Sequence, residues 1–145
     1  KYTIDDVEYY CSLRALAVGG VLLDLWPRFR PISDGCANVH SQDTPQNAYL
    51  LNKFYAELAM PLRPRAEEIC AKIKEALGLG FYACDILFNH NTDRMVVCEV
   101  GYKFADHAWV SHCGDLYTEV PWLRRHRNYE IAMHSAAALV HEAFD

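Results

Sequence analysis

An α+β fold is predicted for this chain, with an antiparallel sheet built from two hairpins and with helices packed on one face of the sheet. Three observations lead to this prediction. Two stretches rich in apolar, β-branched and aromatic residues each contain a turn signal. Between these stretches, apolar residues recur with the spacing of an α-helix. The order hairpin, loop, helices, hairpin, loop and helix then favours an antiparallel sheet with the helices on one side.

The length and composition fit a single domain covering residues 1–145. A chain of 145 residues can bury a sizeable core, and its net charge of −5 gives no nucleic-acid or anionic-membrane signature. No apolar run approaches the roughly 20 residues of a membrane span. The 6 cysteines form no close Cys-x-x-Cys pair, which fits reduced thiols in a cytoplasmic protein. The chain opens with Lys1 rather than a methionine, as a fragment of a longer polypeptide would.

The first hairpin follows a polar lead-in, Lys1–Val7. Its strands are Glu8–Val18 and Val21–Trp26, and Gly19-Gly20 supplies the positive φ angles of a tight turn between them. Pro27 cannot donate to a ladder, so the second strand ends there or reaches a sheet edge. Three arginines flank this hairpin: Arg14, Arg28 and Arg30.

The middle of the chain is predicted to be a long polar loop followed by two helices. The loop is Pro31–Pro45, and the first helix is Gln46–Leu58. Prolines in Met60–Pro64 are expected to break that helix. Arg65–Leu77 has the clearest helical spacing, and Gly78 is expected to cap its C-terminus.

The second hairpin is predicted from the apolar strands Phe81–Phe88 and Met95–Val100, with a turn at Asn89–Asp93. Each strand is apolar except for one acid, Asp85 in the first and Glu99 in the second. A carboxylate in such a strand is costly to bury without a partner, so each acid needs one.

A turn centred on Asn91 would pair Asp85 with Val97 and Glu99 with Ala83. The two acids would then share one face of the sheet as diagonal neighbours, about 7–8 Å apart at the backbone. Two carboxylates at this separation can grip a hard cation, and magnesium is the usual choice where phosphates are bound. The alternative is that each acid forms a structural salt bridge with an arginine. A one-residue change of register would separate the two acids.

Several motifs, taken in order, resemble the C-terminal half of an ATP-grasp domain. They are Arg14-Ala-Leu-Ala-Val-Gly-Gly20 followed by Arg28; Ala37-Asn38-Val39-His40; Leu77-Gly78-Leu79-Gly80 followed by Asp85-Ile86-Leu87; and Val97-Cys98-Glu99-Val100. The resemblance runs from about Tyr10 to Val100, and it is to the carboxylate–amine ligase branch that includes glutathione synthetase, D-alanine–D-alanine ligase and peptide-tailoring ligases.

The resemblance implies an ATP- and magnesium-dependent ligase that joins a small-molecule or peptide carboxylate to an amine through an acyl phosphate. It makes Asp85 and Glu99 the ligands of Mg²⁺, with Mn²⁺ as a substitute. It gives Arg28 the catalytic role of holding the transferring phosphoryl group. Arg14 belongs to the same cofactor-binding cluster, and Asn38 shapes the loop that faces the phosphate or substrate.

Two departures from the family pattern favour a second hypothesis, a non-catalytic binding or assembly module. The family has an asparagine two residues after its second acid, where this chain has Gly101, unless Asp106 replaces it. The nucleotide-clasping N-terminal half of the family lies outside these residues. Ligase activity would therefore need a longer polypeptide, a partner chain or a homo-oligomer.

A second cluster follows the hairpin in the aromatic, irregular stretch Tyr102–Trp122. Asp106, His107, His112 and Cys113 are of the types that bind zinc, which leaves a metal-dependent hydrolase as a third hypothesis. Their spacing matches no standard zinc pattern. The basic run at 124–127 is interpreted as a solvated surface or partner contact, and a helix over Asn128–Phe144 is expected to close the domain.

Overall fold

The structure, a computed structural model, describes residues 1–37, 39, 48–102 and 141. In this part of the chain, five strands form one antiparallel sheet and one helical segment packs against it. The predicted α+β class is therefore confirmed. The strands are β1 (Tyr2–Ile4), β2 (Val7–Val18), β3 (Val21–Pro31), β4 (Phe81–Asn89) and β5 (Arg94–Gly101).

Strand β2 is the centre of the sheet. Its residue Leu13 pairs with Pro27 of β3 on one edge and with Ile86 of β4 on the other. Strand β1 pairs with the first residues of β2 on the same edge as β4, and β5 lies beyond β4. The order is thus β3, β2, β4, β5, with β1 next to β4 along the edge of β2.

The first hairpin turns as predicted, at Gly19 and Gly20, whose φ angles are 57° and 83°. Strand β3 does not end at Pro27 but continues to Pro31. Among the described strands, only β2 pairs with β3, so Pro27 lies on an edge strand and its missing N–H need not interrupt a second ladder. Of the two expectations for Pro27, a strand end or a sheet edge, the structure has the sheet edge among the described strands.

The polar lead-in predicted for Lys1–Val7 is wrong. Tyr2–Ile4 forms a strand, and a two-residue turn at Asp5 and Asp6 connects it to β2. Both aspartates have positive φ, 48° and 63°, which is the requirement of a tight hairpin turn and a conformation that aspartate adopts more readily than most residues. A three-residue strand followed by a turn without glycine carries little signal in the sequence.

The two predicted helices form one continuous helical segment, so the predicted break at Met60–Pro64 is also wrong. The segment comprises α1 (Ala48–Phe54), a π-helical turn (Tyr55–Ala59) and α2 (Met60–Leu77). In the wide turn, the Met60 N–H donates to the Tyr55 carbonyl, five residues back. Pro61 is the second residue of α2, which directly follows the π-helical turn, and Pro64 lies inside the helix.

Pro61 removes the N–H that would donate to the Glu57 carbonyl in a regular α-helix. The Tyr2 hydroxyl donates to that carbonyl instead, at 3.4 Å. Strand β1 thus contributes to keeping the helix continuous. At the other end of α2, Gly78 has a φ of 87° and its N–H donates to the Lys74 carbonyl, as expected of a C-terminal cap.

The core lies between the helical segment and one face of the sheet. Phe54 of α1 stacks on Phe29 of β3 with ring centroids 3.6 Å apart, and Tyr9 of β2 meets Phe54 edge-on at 5.1 Å. Each large side chain buried here contributes about 1.5–3 kcal/mol to folding. Because strand side chains alternate, the other half of the residues of β2 to β5 project from the opposite face.

No helix in the described part of the chain is both long enough and apolar enough to span a membrane.

Candidate functional site

The charged residues singled out in the sequence gather on the sheet face opposite the helical segment. Arg14 of β2 is paired with Asp85 of β4, and Asp85 is paired with Glu99 of β5. Paired residues of neighbouring strands project to the same side. Arg28 of β3 reaches the same point, because its guanidinium donates to Asp85. We call this side, with Ser12, Arg14, Arg28, Asp85 and Glu99, the polar face.

Both arginines bind the same acid. Arg14 Nη1 donates to both carboxylate oxygens of Asp85, at 2.9 and 3.0 Å, and Arg28 Nη1 donates to Oδ1 at 3.2 Å. The side chain of Arg28 is 8% exposed, and those of Arg14 and Asp85 are 21% and 23% exposed. The alternative prediction, in which each acid forms a salt bridge with its own arginine, is therefore wrong. Asp85 accepts hydrogen bonds from both guanidiniums, and Glu99 accepts none from either.

The predicted pairing of the second hairpin is wrong, although the acids do share a face. Asp85 lies directly opposite Glu99, not opposite Val97, which pairs with Ile86. One extra residue, Cys98, is accommodated by a β-bulge between these two pairs. Beyond the bulge, Cys98 and Glu99 are both exposed, whereas strict alternation from Val97 would send Glu99 toward the helix. The acids are thus direct neighbours rather than diagonal ones.

A cavity of 1020 Å³ opens beside the two acids and includes both in its lining. Its volume is at the upper end of the range of ligand pockets, about 300–1000 Å³. Glu99 makes no hydrogen bond or ion pair with the described residues, so its carboxylate is available to a ligand. Other lining residues from the same strands include Glu8, Tyr10, Ser12, Leu87 and Val96.

Two carboxylates are fewer ligands than a metal site built from protein side chains alone requires. No group of three or more His, Cys, Asp or Glu residues within the described ranges could hold a metal. Mg²⁺ commonly takes one or two carboxylates and completes its shell with water and phosphate oxygens. Gly101 pairs with Ala83 at the end of the hairpin and offers no side chain as a third ligand.

Several residues singled out in the sequence lie outside the described residues. They are Asn38, the Asp106, His107, His112 and Cys113 cluster, and the basic run at 124–127. The predicted roles of these residues stay predictions.

The buried thiols are not candidate nucleophiles. Burial raises the pKa of Cys70 to about 12 and that of Cys84 to about 11, and it raises the pKa of Cys11 to about 12. These thiols are protonated at neutral pH, whereas nucleophilic cysteines need a lowered pKa.

Sequence reasoning missed Ser12, which lines the cavity from the central strand. Its only signal was its position two residues before Arg14, which puts both side chains on one face of a strand.

No protein-family model, curated protein or solved structure matches this chain. A functional assignment depends on the polar face itself.

Proposed function

We propose that the polar face binds magnesium and ATP as part of a carboxylate–amine ligase of the ATP-grasp type. One observation carries the proposal: Asp85, which accepts hydrogen bonds from two guanidiniums, lies directly opposite a second carboxylate, Glu99, and both acids line a cavity of nucleotide size. Structural ion pairs explain Arg14, Arg28 and Asp85, whereas Glu99 adds a second carboxylate directly opposite Asp85 that makes no ion pair with the described residues.

The charged groups of Arg14, Arg28, Asp85 and Glu99 could exchange hydrogen-bond partners when a ligand binds. Two arginines and two acids balance to zero, so the face tolerates its own charges. Arriving phosphate oxygens can replace Asp85 as acceptors for Arg14 and Arg28, since guanidinium groups bind carboxylate and phosphate with similar geometry. The released Asp85 carboxylate and Glu99 would then be the residues that hold the cation. When bound, magnesium would neutralise the charge of the phosphates as the phosphoryl group moves.

In this proposal Arg28 holds the transferring phosphoryl group, and Arg14 assists it. The substrates are a carboxylate, which is activated by phosphorylation, and an amine, which displaces phosphate. The face provides one side of such a site. The groups that clasp the nucleotide from the other side come from elsewhere in the natural polypeptide or from another chain.

Glu99→Gln is the sharpest test, because Glu99 can be changed without disturbing the Arg14–Asp85–Arg28 ion pairs. ATP binding to the natural polypeptide is measured by calorimetry with and without magnesium. We expect magnesium to strengthen binding, and Glu99→Gln to reduce that gain by roughly tenfold or more, since tenfold corresponds to only about 1.4 kcal/mol. Glu68→Gln, an exposed helix position away from the cavity, is the matched control.

A magnesium effect that Glu99→Gln leaves intact would contradict the proposal. If ATP binding shows no magnesium dependence at all, the second candidate, a non-catalytic binding or assembly module, is favoured. A specific observation supports that candidate: two guanidiniums already hold the Asp85 carboxylate, and Gly101 supplies no third ligand.

A further inference from the structure

Ser12 occupies the centre of the polar face. It is paired directly with Arg28 on β3, and it lies two residues before Arg14 on β2. Directly paired residues have their Cβ atoms about 4.5–5.5 Å apart. One small ligand group could therefore contact both the Ser12 hydroxyl and the Arg28 side chain. Ser12 also lines the cavity that contains Asp85 and Glu99.

The Ser12 hydroxyl is buried without a partner. The residue is only 7% exposed, and its Oγ makes no hydrogen bond with the described residues. A buried hydroxyl that forms no hydrogen bond costs free energy, because it has given up water and received nothing in return. An apolar residue would fill this strand position at a lower cost to stability. The position is therefore better explained by a ligand than by packing.

We propose that Ser12 is a ligand-binding residue whose hydroxyl donates a hydrogen bond to an oxyanion held by Arg28 and Arg14. The class of ligand follows from the donors: an anion that replaces Asp85 as the acceptor receives hydrogen bonds from two guanidiniums, and the Ser12 hydroxyl adds a neutral donor beside them. The Asp85 carboxylate, on β4, accepts the hydrogen bonds of both arginines. An anion that displaces this carboxylate would approach from the cavity that Asp85 and Ser12 line.

The identification of this oxyanion as a phosphoryl group of ATP rests on the proposed function, whereas the oxyanion subsite itself does not. Ser12 then fixes the position of the phosphoryl group relative to Arg28, and it is a positioning residue for the transfer rather than a residue that exchanges a proton.

The experiment uses two probes on the natural polypeptide: ATP with magnesium, and inorganic pyrophosphate, which has phosphoryl groups but no base. Ser12→Ala removes the hydroxyl, and Ser12→Thr retains one. Ser33→Ala is the control, because Ser33 is exposed and lies outside the cavity. Each variant is also unfolded with urea, so that changes in affinity are separated from changes in stability.

We expect Ser12→Ala to weaken both probes by about 10- to 100-fold, the range for a lost hydrogen bond to a charged group. Ser12→Thr should recover much of this affinity, and Ser33→Ala should leave it unchanged. Ser12→Ala should also be as stable as the parent or more stable, because it removes a buried hydroxyl without a partner.

The outcomes separate the two proposals. If both probes bind and Ser12→Ala binds them as well as the parent, the role of Ser12 is refuted and the ligase proposal stands. If pyrophosphate binding depends on Ser12 while ATP shows no magnesium dependence, the oxyanion subsite stands and the ligase proposal fails. A loss of folding stability in Ser12→Ala that accounts for its weaker binding would show that the hydroxyl is structural, which overturns the inference.

Discussion

Asp85 and Glu99 lie opposite each other on neighbouring strands, yet their surroundings differ. Asp85 accepts hydrogen bonds from two guanidiniums and is about three-quarters buried, whereas Glu99 is exposed and makes no ion pair with the described residues. One acid therefore contributes to stability as well as to any chemistry of the polar face. Glu99 makes no such contribution to stability among the described residues.

This difference predicts that removing the charge of Asp85 lowers the stability of the fold much more than removing the charge of Glu99. Asp85→Asn replaces a charged acceptor of hydrogen bonds from both Arg14 and Arg28 with a neutral amide, so we expect a loss of about 1–3 kcal/mol in the free energy of unfolding. Glu99→Gln should stay within about 0.5 kcal/mol of the parent, as surface substitutions usually do. Urea denaturation of the two variants under the same conditions measures the difference. Equal losses would mean that Asp85 is not the structural acid.

At the scale of single residues, the sequence identified the acids and the arginines but not their partners. Asp85, Glu99, Arg14 and Arg28 stand out because a charge in an apolar strand needs a reason. The sharing of Asp85 by both arginines could not be foreseen, because it depends on how β3 and β4 flank β2. Ser12 escaped notice since a serine in a strand is unremarkable until its burial is known.

Among the elements, the first hairpin is tied to the end of α2. The Gly19 N–H donates to the Gly80 carbonyl at 3.0 Å, and a Cβ on Gly20 would lie 2.9 Å from the Cβ of Lys74. That neighbouring atom is attached directly to the helix backbone, so it cannot move away as the tip of a long side chain would. The turn therefore fixes where β2 and β3 sit against the helix.

Gly20→Ala should destabilise the fold by more than Gly35→Ala does. Both glycines have positive φ, 83° and 70°, and an alanine pays about 1–2 kcal/mol for that conformation. Only Gly20 adds a steric clash, because nothing lies within 4 Å of a Cβ at Gly35. We expect Gly20→Ala to lose at least about 1 kcal/mol more, measured as the difference in unfolding free energy. Identical losses would show that the turn can shift away from the helix.

Elements with local signals were predictable, and those decided by tertiary contacts were not. The Gly19-Gly20 turn and the Gly78 cap follow from positive φ, which few residues other than glycine adopt. The continuous helix does not follow from the sequence, since the prolines in Met60–Pro64 argue locally for a break. A π-helical turn and a hydroxyl from Tyr2, far away in the chain, compensate for Pro61.

For the whole molecule, the sheet divides the described residues into an apolar side under the helix and a side that carries the charges. The α+β class was predictable because turn signals, hydrophobic periodicity and the order of the elements can all be taken from the sequence. The division of roles between the two faces depended on the strand order, which periodicity does not give. Cys70 of α2 and Cys84 of β4 lie within the core, at 1% and 0% exposure.

The core thiols make stability sensitive to alkaline pH. Burial raises the pKa of Cys70 to about 12 and of Cys84 to about 11, whereas an unfolded cysteine ionises near about 8.5. The folded state therefore retains protons that the unfolded state has lost, so stability is fully present below about pH 8.5 and declines as the pH rises toward the folded values. Urea midpoints at about pH 7 and about pH 10 should show this decline.

Cys84→Ala removes one of these thiols, and the decline in stability with pH should be smaller in that variant. Thiol labelling with peptide mapping at about pH 8 gives an independent measure, in which exposed Cys36 and Cys98 react while Cys70 and Cys84 do not. Rapid labelling of Cys70 or Cys84 in the folded protein would contradict their place in the core.

The direction in which the Glu99 side chain points depends on the β-bulge at Cys98, which the hydrophobic pattern of the second hairpin does not reveal. Without the bulge, Cys98 would take its place in the strict alternation of β5, and the Glu99 carboxylate would point away from the cavity, to the apolar side of the sheet. The strands could still pair, but the polar face would lose the carboxylate that lies opposite Asp85. The presence of two acids side by side on this face thus depends on a single irregularity in the backbone of β5.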